Sequence, residues 1–161
     1  MGVIRSHGIE MAVPAGCEAR IFRRPPVAGA ATYPVVHLAT FPLPGDVGDF
    51  GNGAVQVMGG NDVFVVLFEY GPESVGQALF ARQGMPRALA PSDFQPYRLR
   101  QGVGGRSGTQ WFFVEAGRPF SLYAVLGSHA RRATLVPRLN GLLAGIAVQP
   151  APPATLGGGW N

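Results

Sequence analysis

The sequence predicts an α+β protein: an antiparallel β-sheet of about six to seven strands, with a C-terminal amphipathic helix and one shorter helix packed on it. Residues 109–115 and 120–126 are aromatic and β-branched runs on either side of a short turn, as in an antiparallel hairpin. Residues 63–70 are apolar on both faces, which is typical of a central strand covered on both sides. Four leucines recur at helical spacing within residues 130–144 and predict the amphipathic helix. Because the strands do not alternate with helices, an antiparallel sheet is favoured over a parallel one.

The other predicted elements are shorter. Ile9, Met11 and Val13 alternate with less apolar residues, which predicts a half-buried strand over residues 8–13. A Pro-Ala-Gly turn follows, so residues 17–23 are predicted to return as the second strand of an opening hairpin. The remaining predicted elements are strands over residues 33–41, 54–58, 97–100 and 146–148, a short helix over residues 73–83 that Gly84 ends, and Ser128 as the N-cap of the last helix.

The composition excludes several classes of function. All 13 basic residues among the 161 are arginines, and a Walker A loop, a Schiff-base enzyme or a Ser-x-x-Lys acylase would need a lysine amine. The single cysteine, Cys17, excludes an internal disulfide and a cysteine-based zinc site. No apolar run approaches the roughly 20 residues that span a membrane, and no signal-peptide stretch is visible. We therefore expect a cytoplasmic protein with one domain over residues 1–149 and a Pro/Gly-rich tail over residues 150–161.

The positive charge does not by itself indicate a nucleic-acid partner. The formal net charge is +4, but the arginines are scattered along the chain. Aromatic and basic residues do not interleave in a recognisable binding motif. An all-arginine basic set with abundant Ala, Gly and Pro is also what a GC-rich coding sequence produces. Nucleic-acid binding is therefore the least favoured of the functions considered.

The loop over residues 45–53 is the most unusual segment. It contains Asp46, Asp49 and Asn52 at intervals of three, together with Phe50 and four glycines. Oxygen ligands in a curled loop could hold calcium, but the spacing is not that of an EF-hand. Asn and Asp beside Gly are ordinary turn formers, and that interpretation is favoured, with a partner-contact loop as the other alternative.

No residue is assigned a catalytic, cofactor-binding or metal-binding role. The histidines His7, His37 and His129 are isolated and show no zinc-ligand spacing. His37 lies in an apolar strand and is predicted to be a half-buried core residue. A catalytic triad built from residues distant in sequence stays open, although no Gly-x-Ser-x-Gly elbow supports one.

Aromatic residues concentrate in the 109–126 hairpin. Cross-strand aromatic pairs stabilise a sheet, which is the simplest interpretation, but the large rings would crowd a single face. Because neighbouring strand residues point to opposite sides, one side of this strand is expected to line a groove or meet a partner. The predicted partner contacts are Trp111 and Phe113 in the hairpin, Asp46, Asp49 and Phe50 in the loop, and Trp160 in the tail.

The beginning and the end of the chain resemble the PsbP-like family. The resemblance lies in residues 8–16, a strand followed by Pro, a small residue and Gly, and in residues 139–148, a helix followed by a short strand. It implies an antiparallel sheet with flanking helices and a non-enzymatic accessory or assembly module. The export signal usual in that family is missing, and no functional residue is carried over.

The leading hypothesis is a non-catalytic interaction protein or an accessory subunit of a larger assembly, with a protein partner or a second copy of itself. The alternative is a small-ligand-binding or hydrolytic domain that uses the 45–53 loop with His37 or His129. A deep pocket joining those residues would favour the alternative.

Overall fold

The computed structural model describes residues 2–151, which form two antiparallel sheets and one α-helix. The α+β class with antiparallel sheets is therefore confirmed. In chain order the elements are β1 (Gly2–Ser6), β2 (Ile9–Val13), β3 (Glu18–Phe22), β4 (Val35–Ala39), β5 (Val63–Glu69), β6 (Ser107–Glu115), β7 (Arg118–Leu126), α1 (Arg132–Ala144) and β8 (Ile146–Val148). Short 3₁₀ turns lie between β4 and β6 at Val55–Val57, Pro72–Ser74, Ala78–Phe80, Pro91–Asp93 and Pro96–Arg98.

The larger sheet has the strand order β3-β4-β5-β7-β6 and is covered on both faces. Its inner face packs on α1 and on the smaller sheet, which has the order β1-β2-β8. Its outer face is covered in part by residues 41–58. The central strand β5 alternates between the two cores, with Val65 on the inner face and Phe64 and Val66 on the outer face. This arrangement confirms the prediction from its continuous apolar run.

The β6–β7 hairpin is confirmed and is longer than the apolar runs alone indicated. Its strands pair in register from Ser107 opposite Leu126 to Glu115 opposite Arg118. Ala116 and Gly117 form the two-residue turn with φ values of 53° and 75°. Two successive positive φ values match the twist of antiparallel strands, so the turn fixes the register of the hairpin.

The predicted opening hairpin and the single sheet were wrong. β2 pairs with β1 rather than with β3, because His7 and Gly8 (φ 52° and 74°) close a tight turn one strand earlier. After β2 the chain crosses to the larger sheet, where β3 pairs with β4. The eight strands are therefore divided into sheets of three and five.

The prediction of a second helix over residues 73–83 was also wrong, as were two of the short strands. The segment contains two separate 3₁₀ turns, interrupted by Gly76 at a φ of 94°. Of the three apolar residues at helical spacing in this segment, Val75 and Leu79 are exposed and Phe80 is buried. The predicted strands over residues 54–58 and 97–100 are instead the 3₁₀ turns Val55–Val57 and Pro96–Arg98.

The C-terminal helix is confirmed as α1, and its leucines pack on the inner face of the sheet. It begins later than predicted, with Arg131 rather than Ser128 at the N-cap position. The edge strand over residues 146–148 is confirmed as β8, which pairs with β2. Within residues 2–151, no helix has the length and apolar character needed to cross a bilayer.

Candidate functional site

The outer face of the larger sheet carries a row of side chains that the loop only partly covers. The strand registers align Phe22, Val35, Phe68, Ser121 and Phe112 across all five strands. Phe22, Phe68 and Phe112 are each partly exposed. The neighbouring row, which includes His37, Val66 and Tyr123, is buried because residues 41–58 lie over it.

Four partly exposed rings lie in contact along this face, and we name them the aromatic row: Phe50, Phe68, Tyr70 and Phe112. Ring centroids are 4.8 Å apart for Phe50 and Phe68, and 4.9 Å for Phe68 and Tyr70. Tyr70 lies 6.1 Å from Phe112, and its hydroxyl hydrogen-bonds the Ser121 hydroxyl at 3.1 Å. The buried ring of Phe80 packs against both Tyr70 and Phe112. The row is therefore held in place by its own packing and by the strands beneath it.

The loop that contributes Phe50, with the residues just before it, is tied to β3 and to the segment after β3 by side-chain hydrogen bonds. Arg20 donates to the carbonyl oxygens of Pro44 (2.9 Å) and Leu43 (3.1 Å). Arg24 donates to the Asp49 carboxylate at 2.8 Å and to the Val47 carbonyl at 3.1 Å. The Glu18 carboxylate accepts the amide N–H of Leu43. These bonds hold the loop against the sheet without any regular secondary structure of its own.

His37 anchors the same loop from below. Its Nε2 lies 2.8 Å from the carbonyl oxygen of Asp49 and must donate, because a carbonyl can only accept. The imidazole is buried between Phe22 and Phe64, with centroid distances of 5.0 and 5.5 Å. Burial lowers the pKa of His37, the guanidiniums of Arg20 and Arg24 lower it further, and the bond to Asp49 opposes the shift. His37 is therefore a core residue, more deeply buried than predicted.

A cleft of about 210 Å³ opens between the loop and the segment that precedes β6. Residues 48–52 and Val55 form one side, and Arg100 and Gln101 form the other. The guanidinium of Arg100 lies over the Phe50 ring, 3.8 Å from its centroid. At the floor, the Tyr123 hydroxyl accepts the amide N–H of Arg100 at 2.9 Å, and burial raises the pKa of Tyr123. The phenol is therefore a neutral, structural group.

A second cavity, of about 330 Å³, lies beside Phe68 and Tyr70. Residues 24–33 provide its opposite side, and Asp49 borders both this cavity and the cleft. The aromatic row is thus flanked by recesses large enough for side chains.

The structure separates the predicted partner contacts into two groups. Asp49 and Phe50 lie at the cleft, and Asp46 is exposed at a neighbouring cavity near Arg20. Trp111 and Phe113 lie on the inner face of the sheet. Phe113 is completely buried, with its ring 5.8 Å from Phe120, so it is not accessible to a partner. Trp160 lies outside the described residues.

The residues that sequence reasoning missed are Phe68, Tyr70, Arg100 and Phe112. Phe112 lies on the face opposite to Trp111 and Phe113, the two hairpin residues for which partner contacts were predicted. Strand parity is a local signal that could have identified it. Phe68 joins the row through its pairing with Ser121, a contact that depends on the sheet register and not on local sequence.

The geometry offers little for hydrolytic chemistry or metal binding. The described residues that line the cleft and the second cavity include neither a serine nor a cysteine. His37 is buried and borders the neighbouring cavity beside Asp46, but its Nε2 already donates to the Asp49 carbonyl. His129, whose amide bonds Gly105, does not line the cleft. Asp49 is paired with Arg24, and Asn52 accepts a bond from Gln56. Within residues 2–151 no three His, Cys, Asp or Glu side chains cluster as metal ligands would.

The site therefore combines packed aromatic rings, two recesses and arginine side chains. No protein-family model, curated protein or solved structure matches the chain. The resemblance to the PsbP-like family accordingly stays a prediction.

Proposed function

We propose that the protein is a non-catalytic interaction module that docks a partner protein on the outer face of its larger sheet, at the aromatic row. The single observation that carries this proposal is the contact between four partly exposed rings beside two recesses. Aromatic residues and arginine are enriched at the centres of protein interfaces. A contiguous aromatic surface that solvent reaches in part is a candidate for such an interface.

Preorganisation supports the proposal. Phe68 and Phe112 are on β-strands, and Tyr70 is fixed by its bond to Ser121. Rings that already have one position in the free protein lose little conformational entropy when a partner covers them. The surface is therefore suited to tight contact over a modest area.

The size and lining of the cleft argue against the alternative, a small-ligand or hydrolytic site. Its volume of about 210 Å³ is below the roughly 300–1,000 Å³ typical of small-molecule sites. The second cavity, at about 330 Å³, and the cavity that His37 and Asp46 border, at about 290 Å³, lie near the lower limit of that range, and neither is lined by a serine or a cysteine. The cleft would instead fit a single side chain of a docked protein. Thr32, the aliphatic hydroxyl at the second cavity, accepts a bond from Arg23 and donates to the backbone of Arg24, so it is not paired with a base.

The proposal can be tested by selecting binders from a displayed library of random twelve-residue peptides on the immobilised full chain. Selected peptides are expected to shift the backbone amide NMR signals of residues 48–52, 68–70 and 110–112. If every selected peptide instead perturbs other surfaces, or if no peptide is enriched over an empty support, the proposal is wrong. Removing residues 152–161 tests separately whether Trp160 contributes a second contact, as the sequence predicts.

A further inference from the structure

The segment before β6 is rich in positive charge. It carries Arg98, Arg100 and Arg106, and none of these forms an ion pair with an acidic residue in the described part of the chain. Arg106 donates to backbone carbonyls, and Arg98 lies over the exposed ring of Tyr97. Arg100 is exposed, and its guanidinium makes no hydrogen bond to residues 2–151.

Arg100 is nevertheless held in place. Its guanidinium packs on the face of Phe50, and its amide N–H bonds the hydroxyl of Tyr123. A guanidinium stacked on a ring keeps its N–H groups free at the edge, where they can bind a carboxylate in two parallel hydrogen bonds. The cleft therefore presents a positioned, unpaired cation beside an apolar surface formed by Phe50 and Val55.

The side-chain acceptors of Asp49, Asn52 and Gln101 at the cleft are already paired. The Asp49 carboxylate bonds Arg24, so its negative charge is compensated. Gln56 donates to Asn52 at 3.2 Å and to Gln101 at 2.6 Å. Arg100 is thus the charged group at the cleft without a partner among the described residues, and charge complementarity calls for an anion.

We infer that the cleft between Phe50 and Arg100 takes a carboxylate side chain of the partner, so that the protein selects acidic protein segments. This inference rests on the proposed function and adds the chemistry of the partner. The carboxylate binds the free edge of Arg100, and the apolar part of the same side chain or of its neighbour packs against Phe50 and Val55. A lysine- or arginine-rich segment is disfavoured, because it would place a cation beside Arg100.

Matched small probes test the charge preference directly. We expect 4-hydroxyphenylacetate to shift the NMR signals of residues 48–52 and 100–101, with an affinity about two- to fivefold higher than that of the neutral 4-hydroxyphenylacetamide. Arg100→Gln should bring both probes to the same affinity. Arg98→Gln removes an exposed arginine two residues away and should leave the preference intact. Added salt should weaken binding of the carboxylate and leave that of the amide unchanged.

Equal affinity of the two probes at the cleft, or no shift at these residues up to the solubility limit of the carboxylate, would overturn the inference. Preferential binding of a single-stranded oligothymidylate at the same residues would also overturn it in favour of a nucleic-acid partner. Peptides that bind the aromatic row without any dependence on Arg100 would leave the proposed function standing while the charge preference fails. If the probes show no charge preference and no peptide binds the aromatic row, the proposed function fails as well.

Discussion

Phe112 and Phe113 are neighbours in the chain but lie on opposite faces of the larger sheet. Phe113 is fully buried against Phe120 in the inner core, whereas Phe112 is partly exposed beside Tyr70 on the outer face. The same side chain therefore has a structural role at one position and is available for contact at the next.

Replacing each of these phenylalanines by alanine should give different losses of stability. Phe113→Ala leaves a cavity in the core and should lower the free energy of unfolding by about 3–5 kcal/mol. Phe112→Ala removes a ring that is already partly hydrated and should cost only about 1 kcal/mol. Urea denaturation followed by circular dichroism measures both values. Equal losses would show that Phe112 is as much a core residue as Phe113.

The ion pair between Arg118 and Glu69 joins the two sheets. Arg118 donates to the two carboxylate oxygens of Glu69 at 2.5 and 3.1 Å, and to the carbonyl oxygens of His7, Gly8 and Gln149. Both side chains are almost completely buried. The adjoining ends of β5 and β7 are thereby tied to the β1–β2 turn and to the residue that follows β8.

Glu69→Gln should be strongly destabilising, because it leaves the buried Arg118 without a countercharge. We expect a loss of about 3–5 kcal/mol in the free energy of unfolding. Glu10→Gln breaks the exposed pair with Arg5 and serves as the control, with no measurable change expected. If urea denaturation gave similar midpoints for the two variants, the proposed role of the buried pair would be wrong.

The buried imidazole of His37 should make the protein less stable in mild acid. Its pKa in the folded state is below its ordinary value of 6.5, chiefly because of burial. As the pH falls below 6.5, the unfolded chain binds a proton at this residue while the folded protein resists it, so stability decreases. Above that pH both states are neutral and the effect vanishes.

His37→Gln tests this dependence, because the amide can still donate to the Asp49 carbonyl and does not titrate. The free energy of unfolding of the wild-type protein should fall between pH 7 and pH 5 more steeply than that of the variant. Other titrating groups are common to both proteins and cancel in the comparison. Parallel curves would mean that His37 accepts a proton as readily in the folded protein as in the unfolded chain.

Gly51 allows the loop to lie close to the sheet. Its φ is 86°, and a Cβ atom there would lie 2.2 Å from the Phe64 ring. Gly16 has a similar φ of 82° and open space around it, so Gly16→Ala measures the backbone cost alone, about 1–2 kcal/mol. Gly51→Ala should cost about 1–3 kcal/mol more in thermal or urea unfolding, because the clash is added. Equal costs would show that the loop moves away from Phe64 freely.

Sequence alone identified the elements whose signals are local. The β6–β7 hairpin, β5 and α1 each have a pattern that is complete within one or two neighbouring segments. The short helix failed because Val75 and Leu79 match helical spacing but face solvent, and Gly76 interrupts the turn. The spacing of apolar residues along the chain does not show whether other parts of the protein cover them.

The candidate site was recognised only in part for a related reason. The loop over residues 45–53 stands out by its glycines, and it does carry Phe50 and Asp49 to the site. The aromatic row, in contrast, depends on the register that sets Phe68 and Phe112 on either side of Ser121. Arg100 meets Phe50 across 50 residues of sequence. Such contacts depend on the tertiary structure, and no periodic pattern in the sequence predicts them.

The central claim is that the aromatic row binds a partner, and the most direct test is the affinity of a selected peptide for three forms of the protein. These are the wild type, Phe112→Ser and the control Val3→Ser, which removes an exposed apolar side chain on β1. We predict that Phe112→Ser raises the Kd of the peptide by about tenfold or more, as expected for an interface anchor, whereas Val3→Ser leaves Kd unchanged. A Kd that is the same for the wild type and for folded Phe112→Ser would contradict the account.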